Sequence, residues 1–411
     1  MMTAPEPDPR PSMLSLVRSG PAPTLRLAES GAPTLSIGVV LHDFALGGTE
    51  RIAIRLAGRW AQDGAEVTLF AGSCDGPLLE LLDPRVRLVS PPEPIRRARG
   101  STRRLGAAAA AYFTRHPVEA CFVPGNYHWP VASALAGMAP AVRPVVAVQV
   151  SAALRKPQRG RLRQIVYDRR MRRLLTAADV LVTLSDEAAQ QADAILGRAA
   201  SLPIALPALD DGAVPHYVEP PTGRTIIAAG RLVREKGFDT LITAFADLVR
   251  SGRAKGATLV IIGEGPDRAR LTRLSMRLGL GGQVSMPGYA SDVRPWLDRA
   301  RLFVMPSRFE GYGAVVVEAL AAGRAVIATR CTPAVDDLLR GTGAGLDVPI
   351  DDAPALAEAI ATLLDSPPPD PARLSALGDH HRIGRVARDY TQLFRRLIAA
   401  RGDLKLSATA S

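Results

Sequence analysis

From residue 34 onward the chain alternates between short apolar runs and longer stretches whose apolar positions recur at helical spacing. The runs fall at 35–41, 66–70, 86–90, 120–123, 145–150 and 180–185, separated by Ala- and Arg-rich helical segments such as 50–62 and 162–177. Runs apolar on both faces suit the strands of a buried parallel sheet, and parallel strands need crossover helices between them. Residues 202–224 break this rhythm with Pro203, Pro207, Pro215, Pro220 and Pro221 and no helical periodicity, which marks a linker. The alternation then restarts at 225–229, 258–263, 284–286, 302–305 and 325–328, each run leading into a helix. The pattern predicts an α/β chain of two doubly wound parallel sheets in series with a cleft between them. A first domain is expected over 35–205, a linker over 206–223, a second domain over 224–380, and C-terminal helices and tail over 381–411. Residues 1–34, rich in Pro, Ser and Ala without an apolar core segment, read as a disordered tail rather than a signal peptide.

Composition narrows the class. A chain of 411 residues with 47% hydrophobic content has enough apolar material for two cores, which excludes a wholly disordered protein. No stretch of about 18 uninterrupted apolar residues is present, so a membrane-spanning helix is not expected. Cys74, Cys121 and Cys331 show no C-x-x-C spacing, which argues against a disulfide scaffold or cysteine zinc site and for a cytoplasmic setting.

The net charge of +11 is local. Residues 95–104 hold Arg96, Arg97, Arg99, Arg103 and Arg104 and no acid, and residues 151–175 hold nine Lys or Arg against Asp168 alone. Outside these stretches the chain is close to neutral. Aromatic residues make up only 5% and scarcely interleave with the arginines, so nucleic-acid binding is not expected. The segment from Arg159 to Arg173 and Leu175 places Leu162, Ile165, Val166 and Leu174 among seven arginines. That pattern is compatible with a basic amphipathic helix lying on an anionic membrane surface, although solvated helix faces would look the same.

The candidate chemistry clusters in the second half, where strands give way to helices and open α/β sheets bind their ligands. Gly230-Arg231-Leu232-Val233-Arg234-Glu235-Lys236-Gly237 puts cations on a loop before a helix over 238–249, suited to a phosphate. Gly263-Glu264-Gly265-Pro266 ends a strand with glycines that admit close backbone approach. The strongest segment is Pro306-Ser307-Arg308-Phe309-Glu310-Gly311-Tyr312-Gly313-Ala314, running into a helix that carries Glu318. Its glycines offer backbone N–H groups at a positive helix end. The helical neighbours of Glu318 are Ala314, Val315, Ala321 and Ala322, so its carboxylate is not on a polar face and needs a partner. Thr332 before Pro333 is a further N-cap and N1 pair. Two cations, free amides and two carboxylates suit a diphosphate and sugar hydroxyls together, which is a nucleotide sugar.

These residues resemble a known family. Glu310-x7-Glu318 within Pro-Ser-x-x-Glu-Gly-x-Gly, preceded by Gly-Arg-Leu-x-x-x-Lys-Gly, is similar to the retaining glycosyltransferases of family four, which have the GT-B fold of two Rossmann-like domains facing a cleft. The likeness extends to Gly47-Gly48-Thr49-Glu50-Arg51 and covers about residues 35–395. It implies that Arg231 and Lys236 bind the donor diphosphate. Glu318 would take the ribose hydroxyls, and Glu310 with Gly311, Tyr312, Gly313 and Ala314 the donor sugar. Gly230 would belong to the same phosphate loop, Gly263, Glu264 and Tyr289 would lie beside the base, and Gly47 and Gly48 would admit donor phosphate or acceptor. It implies a hexosyltransferase acting on a glycan acceptor. Because both basic stretches lie in the half expected to bind the acceptor, they point to a glycan or lipid-linked glycan of cell-envelope or exopolysaccharide type and to a peripheral place at the inner face of the cytoplasmic membrane. No metal or other cofactor is expected, since no Asp-x-Asp pair occurs.

Two departures stand against the family pattern. Many relatives carry a His after the strand at 145–150, where this chain reads Gln149-Val150-Ser151, with His42 and His128 near other strand ends. Cys331-Thr332-Pro333 stands where a Gly-Gly pair is common. The missing His raises the alternative of a nucleotide-sugar-binding protein that has lost catalysis; a GT-B sugar-nucleotide epimerase is a further alternative.

Overall fold

The computed structural model describes residues 34–151, 154, 160–212, 217–219 and 221–409, with backbone only for 161, 162 and 404–409. The tail expected over residues 1–34 (apart from Thr34), Arg159, the side chain of Leu162 and linker residues Pro215 and Pro220 lie outside that description.

Valine, isoleucine and alanine runs form two all-parallel sheets. The first comprises β1 (Ser36–Leu41), β2 (Glu66–Ala71), β3 (Arg87–Val89), β4 (Ala120–Val123), β5 (Val145–Val150), β6 (Val180–Thr183) and β7 (Ser201–Pro203), ordered β3-β2-β1-β4-β5-β6-β7. The second comprises β8 (Arg224–Ala229), β9 (Ala257–Ile262), β10 (Val284–Gly288), β11 (Leu302–Met305), β12 (Ala325–Thr329) and β13 (Gly345–Val348), ordered β10-β9-β8-β11-β12-β13. Every residue of β4, β5, β11 and β12 is buried, because helices cover both sheet faces. Each order reverses direction once, between β1 and β4 and between β8 and β11. A doubly wound sheet has its ligand crevice there, beyond the strands' carboxyl ends.

Two strands escape the sequence pattern. Both β7, with Pro203 in it, and β13 are short and lie at sheet edges, where side chains stay half-exposed and no apolar run is required.

The chain divides into two compact units. The first holds the described residues up to Ile204 together with those from Ala387 onward, and the second is Ala205–Val386. Ala205, expected at the end of the first domain, and residues 206–212, expected as linker, are thus part of the second unit. Leu209 donates its N–H to the His381 carbonyl at 3.0 Å, and Ile383 donates to the Leu209 carbonyl at 2.8 Å. Proline spacing could not reveal that pairing, because the partner segment, at residues 381–383, lies far along the chain.

The last helix, Ile383–Thr409, lies within the expected C-terminal helical region and supplies core to the first unit. Trp60 Nε1 donates to the Ala387 carbonyl at 3.1 Å, and the Tyr390 and Phe394 rings stand edge-on to Trp60 at 5.7 and 5.8 Å. Farther along, Arg401 donates to an Asp179 carboxylate oxygen at 2.8 Å, and Arg143 donates to the other oxygen at 3.0 Å. Among the described residues no helix is long and apolar enough to cross a membrane.

Candidate functional site

In the second unit, the loops after β8 and β11 meet at the switch point. Gly230 and Gly263 have φ of 154° and 142°, and a Cβ on Gly263 would stand 1.9 Å from the Gly230 carbonyl oxygen. Only glycine permits that approach. A short 3-10 turn, Arg234–Lys236, then delivers Lys236 and ends at Gly237, with φ of 65°. A Cβ there would lie 2.0 Å from the Pro306 carbonyl oxygen, so the two loops touch along their backbones. Across this contact Lys236 Nζ donates to Glu310 Oε1 at 2.5 Å, and Ser307 Oγ donates to the same oxygen at 2.7 Å. Lys236 and Glu310 are largely shielded, with side chains 23% and 13% exposed. A charge-assisted pair in such surroundings is fixed in direction rather than fluctuating.

The Glu310 loop is held at several points. Arg308 donates its N–H to the Glu235 carbonyl at 2.7 Å, and its guanidinium reaches Asp239 at 3.0 Å and Asp351 at 2.7 Å. Burial works to raise the Asp239 carboxyl, but Arg308 and Arg270 outweigh it and hold it below the usual range. The Thr329 hydroxyl donates to the Ser307 carbonyl, and the Thr332 hydroxyl donates to the Gly311 carbonyl at 3.3 Å. Thr332 is the N-cap of helix Pro333–Leu339, as its sequence position suggested, but its hydroxyl serves the Glu310 loop instead of capping an amide. Neighbouring Cys331 is pushed up to about 11 by burial, so its thiol stays protonated at neutral pH.

Gly313, at φ 93°, caps helix Ala314–Ala321, whose first amides lack intrahelical acceptors. Glu318 is half-buried on this helix. Arg231 is exposed, and its guanidinium makes no ion pair among the described residues. Glu264, beside the β9 turn, pairs with Arg268 at 2.6 Å, while Tyr289 after β10 is exposed. Tyr312 differs from its neighbours. Its ring is buried, with the hydroxyl 3.4 Å from His381 Nε2, so its side chain is turned into the protein.

The first unit has its own cluster at the switch point. Gly47, in extended conformation, caps helix Gly48–Gln62, and a Cβ on it would lie 2.1 Å from Glu50 Oε2. Glu50 is buried and accepts from Arg97 at 2.7 Å, while Arg97 also donates to both Asp43 oxygens at 2.5 and 2.8 Å. The guanidinium carbon lies 4.9 Å from the centre of the Tyr127 ring. Arg97 is therefore a cross-link between two carboxylates. That corrects its assignment to a free basic surface, which ignored acids distant in sequence.

His42 and His128 are fully buried. His128 Nε2 accepts the His42 N–H at 3.0 Å and its Nδ1–H donates to the Pro124 carbonyl at 2.9 Å, while burial lowers its pKa to about 4. A neutral, doubly engaged ring of this kind is a strut between strand ends. Gln149 is buried beside Tyr390, and Ser151 donates its N–H and hydroxyl to Asn126 Oδ1 at 3.1 and 3.3 Å.

The other basic residues stay on the surface. Arg96, Arg99, Arg103 and Arg104 are exposed. Helix Arg161–Leu175 turns Met171 and Leu175 inward and exposes Ile165 and Val166, 49% and 67%, among Arg163, Arg169, Arg170 and Arg173. Sequence reasoning missed Ser307, Arg308 and Asp239 as supports of the loop, and His381 behind it. Of these only Ser307 carried a signal, through its place three residues before Glu310.

Comparison with known proteins gives matches over both halves. Residues 46–201 match the profile described as Glycosyltransferase Family 4, and residues 223–366 match Glycosyl transferases group 1. The chain is 34% identical over 238 residues to an exopolysaccharide phosphotransferase of Streptomyces coelicolor, covering 55% of this chain and 24% of that protein. It is 33% identical over 183 residues to the lipopolysaccharide core biosynthesis glycosyltransferase LpsE of Rhizobium meliloti, covering 44% of this chain and 52% of the relative. The chain thus spans from about a quarter to about half the length of these relatives. Among solved structures, Anabaena HepE in complex with UDP and glucose aligns with a TM-score of 0.63 at 17% identity, covering 92% of this chain and 100% of that one. The shared architecture is the GT-B fold.

Proposed function

Because this chain belongs to the family 4 glycosyltransferases, we propose that it moves a hexose-type sugar from a nucleotide-sugar donor to a glycan or lipid-linked glycan acceptor, with retention at the anomeric carbon. The observation that carries this reading is the 2.5 Å contact between Lys236 and Glu310 at the switch point of the second sheet. A cation suited to a diphosphate beside a carboxylate suited to sugar hydroxyls supports a nucleotide-sugar site. HepE, of the same fold, has been crystallised with UDP and glucose, which supports a nucleotide-sugar donor here. LpsE supports an acceptor of the lipopolysaccharide or exopolysaccharide kind.

In this mechanism Arg231, Lys236 and the amides after Gly313 face the diphosphate. Glu310 orients the transferred sugar and Glu318 takes the ribose hydroxyls. As the bond from the anomeric carbon to the phosphate oxygen breaks, negative charge grows on the leaving nucleotide. The acceptor oxygen bonds to the same face of the sugar, and its proton passes to the departing phosphate oxygen. No side chain is needed as general base. Charge-assisted hydrogen bonds contribute about 1.5–3 kcal/mol each, so the two cations together supply a few powers of ten in rate. Leaving-group charge is met by these residues without a metal ion.

Incubating the protein with radiolabelled UDP- and GDP-sugars and a bacterial membrane extract tests the reading. Transfer of label with retained configuration is expected; binding without turnover or an epimerised donor would overturn it. Lys236→Ala and Glu318→Ala should each lower kcat/KM by about 100-fold, as for loss of a transition-state donor or a substrate anchor.

The exposed Ile165 and Val166 within an arginine-rich helix face favour a second element of the proposal, docking at the inner face of the cytoplasmic membrane. Each cation near anionic lipid contributes about 1 kcal/mol. Co-sedimentation with phosphatidylglycerol vesicles at low salt is expected. It should be lost when Arg169, Arg170 and Arg173 are replaced by Ser, and wild-type protein left in the supernatant would remove this element.

A further inference from the structure

The two passages of chain that connect the units run beside each other within the second unit. Leu209 pairs with His381 and Ile383 through the backbone, Arg382 Nη1 donates to the Asp210 carbonyl at 3.2 Å, and Gly384 N–H donates to the Asp211 carboxylate at 3.0 Å. From this ladder His381 projects inward and is 4% exposed. Its Nδ1–H donates to the Leu206 carbonyl at 2.9 Å, which leaves Nε2 as an acceptor. That nitrogen lies 3.4 Å from the Tyr312 hydroxyl, and the two rings pack at 5.6 Å between centroids. Tyr312 stands between Gly311 and Gly313, two residues beyond Glu310.

We infer that His381 is a positioning residue: through the Tyr312 hydroxyl it fixes the Glu310–Gly313 loop from behind and ties it to the paired passages 205–212 and 379–386. The inference rests on the proposed function only in assigning that loop to the donor sugar. A glycine-flanked loop can pivot about its backbone, and the buried Tyr312 side chain is the anchor that opposes the pivot. Among the described residues, the polar groups facing the ring include the Leu206 carbonyl from one passage, His380 and the Asp379–Arg382 pair on its own turn, and Tyr312, itself near Asp337. Protonation of Nε2 would remove the acceptor, so acid should loosen the loop.

Three variants separate anchoring from general stability. Tyr312→Phe deletes only the hydroxyl. His381→Asn keeps an N–H near Nδ1 and deletes Nε2, and His381→Gln restores a polar group near the Nε2 position. Hydrogen exchange, with no ligand present, should speed up over residues 310–314 in the first two variants and recover in His381→Gln. In donor hydrolysis the same two variants should lower kcat about five- to tenfold while leaving the Kd for UDP or GDP within about twofold, since one hydrogen bond is lost away from the nucleotide. The double variant should be no slower than either single one. The wild-type acid limb of kcat should be missing in Tyr312→Phe. Unchanged exchange over 310–314 in Tyr312→Phe, or wild-type kcat and pH profile in both variants, would overturn the inference. Wild-type protein that turns over no donor would instead overturn the proposed function, while the exchange data still decide the anchor.

Discussion

Gly263 illustrates how the site is decided at single residues. Its neighbour Gly230 presents a carbonyl oxygen where a side chain would begin, and its φ of 142° is strained for any other residue. Gly263→Ala should cost about 3 kcal/mol or more in stability, read as a lower Tm, and should weaken nucleotide binding even in the folded fraction. By contrast Gly48, with open space around its Cα, should accept Ala with little change in Tm. His128 sets a pH limit. Its folded pKa near 4 lies below the ordinary 6.5, so the unfolded chain binds the extra proton between those values. Its contribution to stability is complete above about pH 6.5 and is lost as pH falls toward 4. A melting series from pH 7 to 4 should show declining Tm, and His128→Gln should flatten part of that decline. The site's residue types were legible in the sequence because cations, glycines and carboxylates sit in contiguous segments. Arg97 and Asp239 were not, because what each does depends on partners that only folding brings near: Glu50 and Asp43 for one, Arg308 for the other.

Among elements, the last helix owes its role to partners far away in the sequence. Its apolar positions announce a helix, but not that Tyr390 and Phe394 complete an aromatic cluster with Trp60 and Phe122. Phe394→Ala should cost about 3–5 kcal/mol, the usual range for an aromatic deleted from a core, measured by denaturant unfolding of the first unit. Asp179 anchors the same helix to β5 and Arg143, accepting from Arg401, Arg143 and the Val146 N–H. Asp179→Ala leaves two guanidinium groups facing each other and should destabilise by about 3 kcal/mol, whereas Arg401→Ala, which leaves the Arg143 pair intact, should cost less. The central strands were readable because both faces are buried, giving unbroken apolar runs. The edge strands β7 and β13 were not, because an edge needs no such run.

Over the whole molecule, the basic excess sorts into separate uses. Arg97 is neutralised within the first unit, Lys236 is paired with Glu310 within the loop cluster of the second unit, and the arginines of helix Arg161–Leu175 stay on the surface. Binding of a nucleoside diphosphate should stabilise the second unit by about 2.7 kcal/mol at a hundredfold excess over Kd. Calorimetry should therefore show one of two transitions moving with UDP or GDP and the other staying in place.

The return of the chain to its first unit also sets an order of assembly during translation. Residues 34–204 emerge from the ribosome without Tyr390 and Phe394, whose rings fill the space beside Trp60. At about 5–20 residues per second, the intervening second unit occupies the ribosome for about 10–40 s. During that interval Trp60 lacks the two rings that cover it in the full chain, while the second unit, contiguous in sequence, can fold as it emerges. The half made first is finished last.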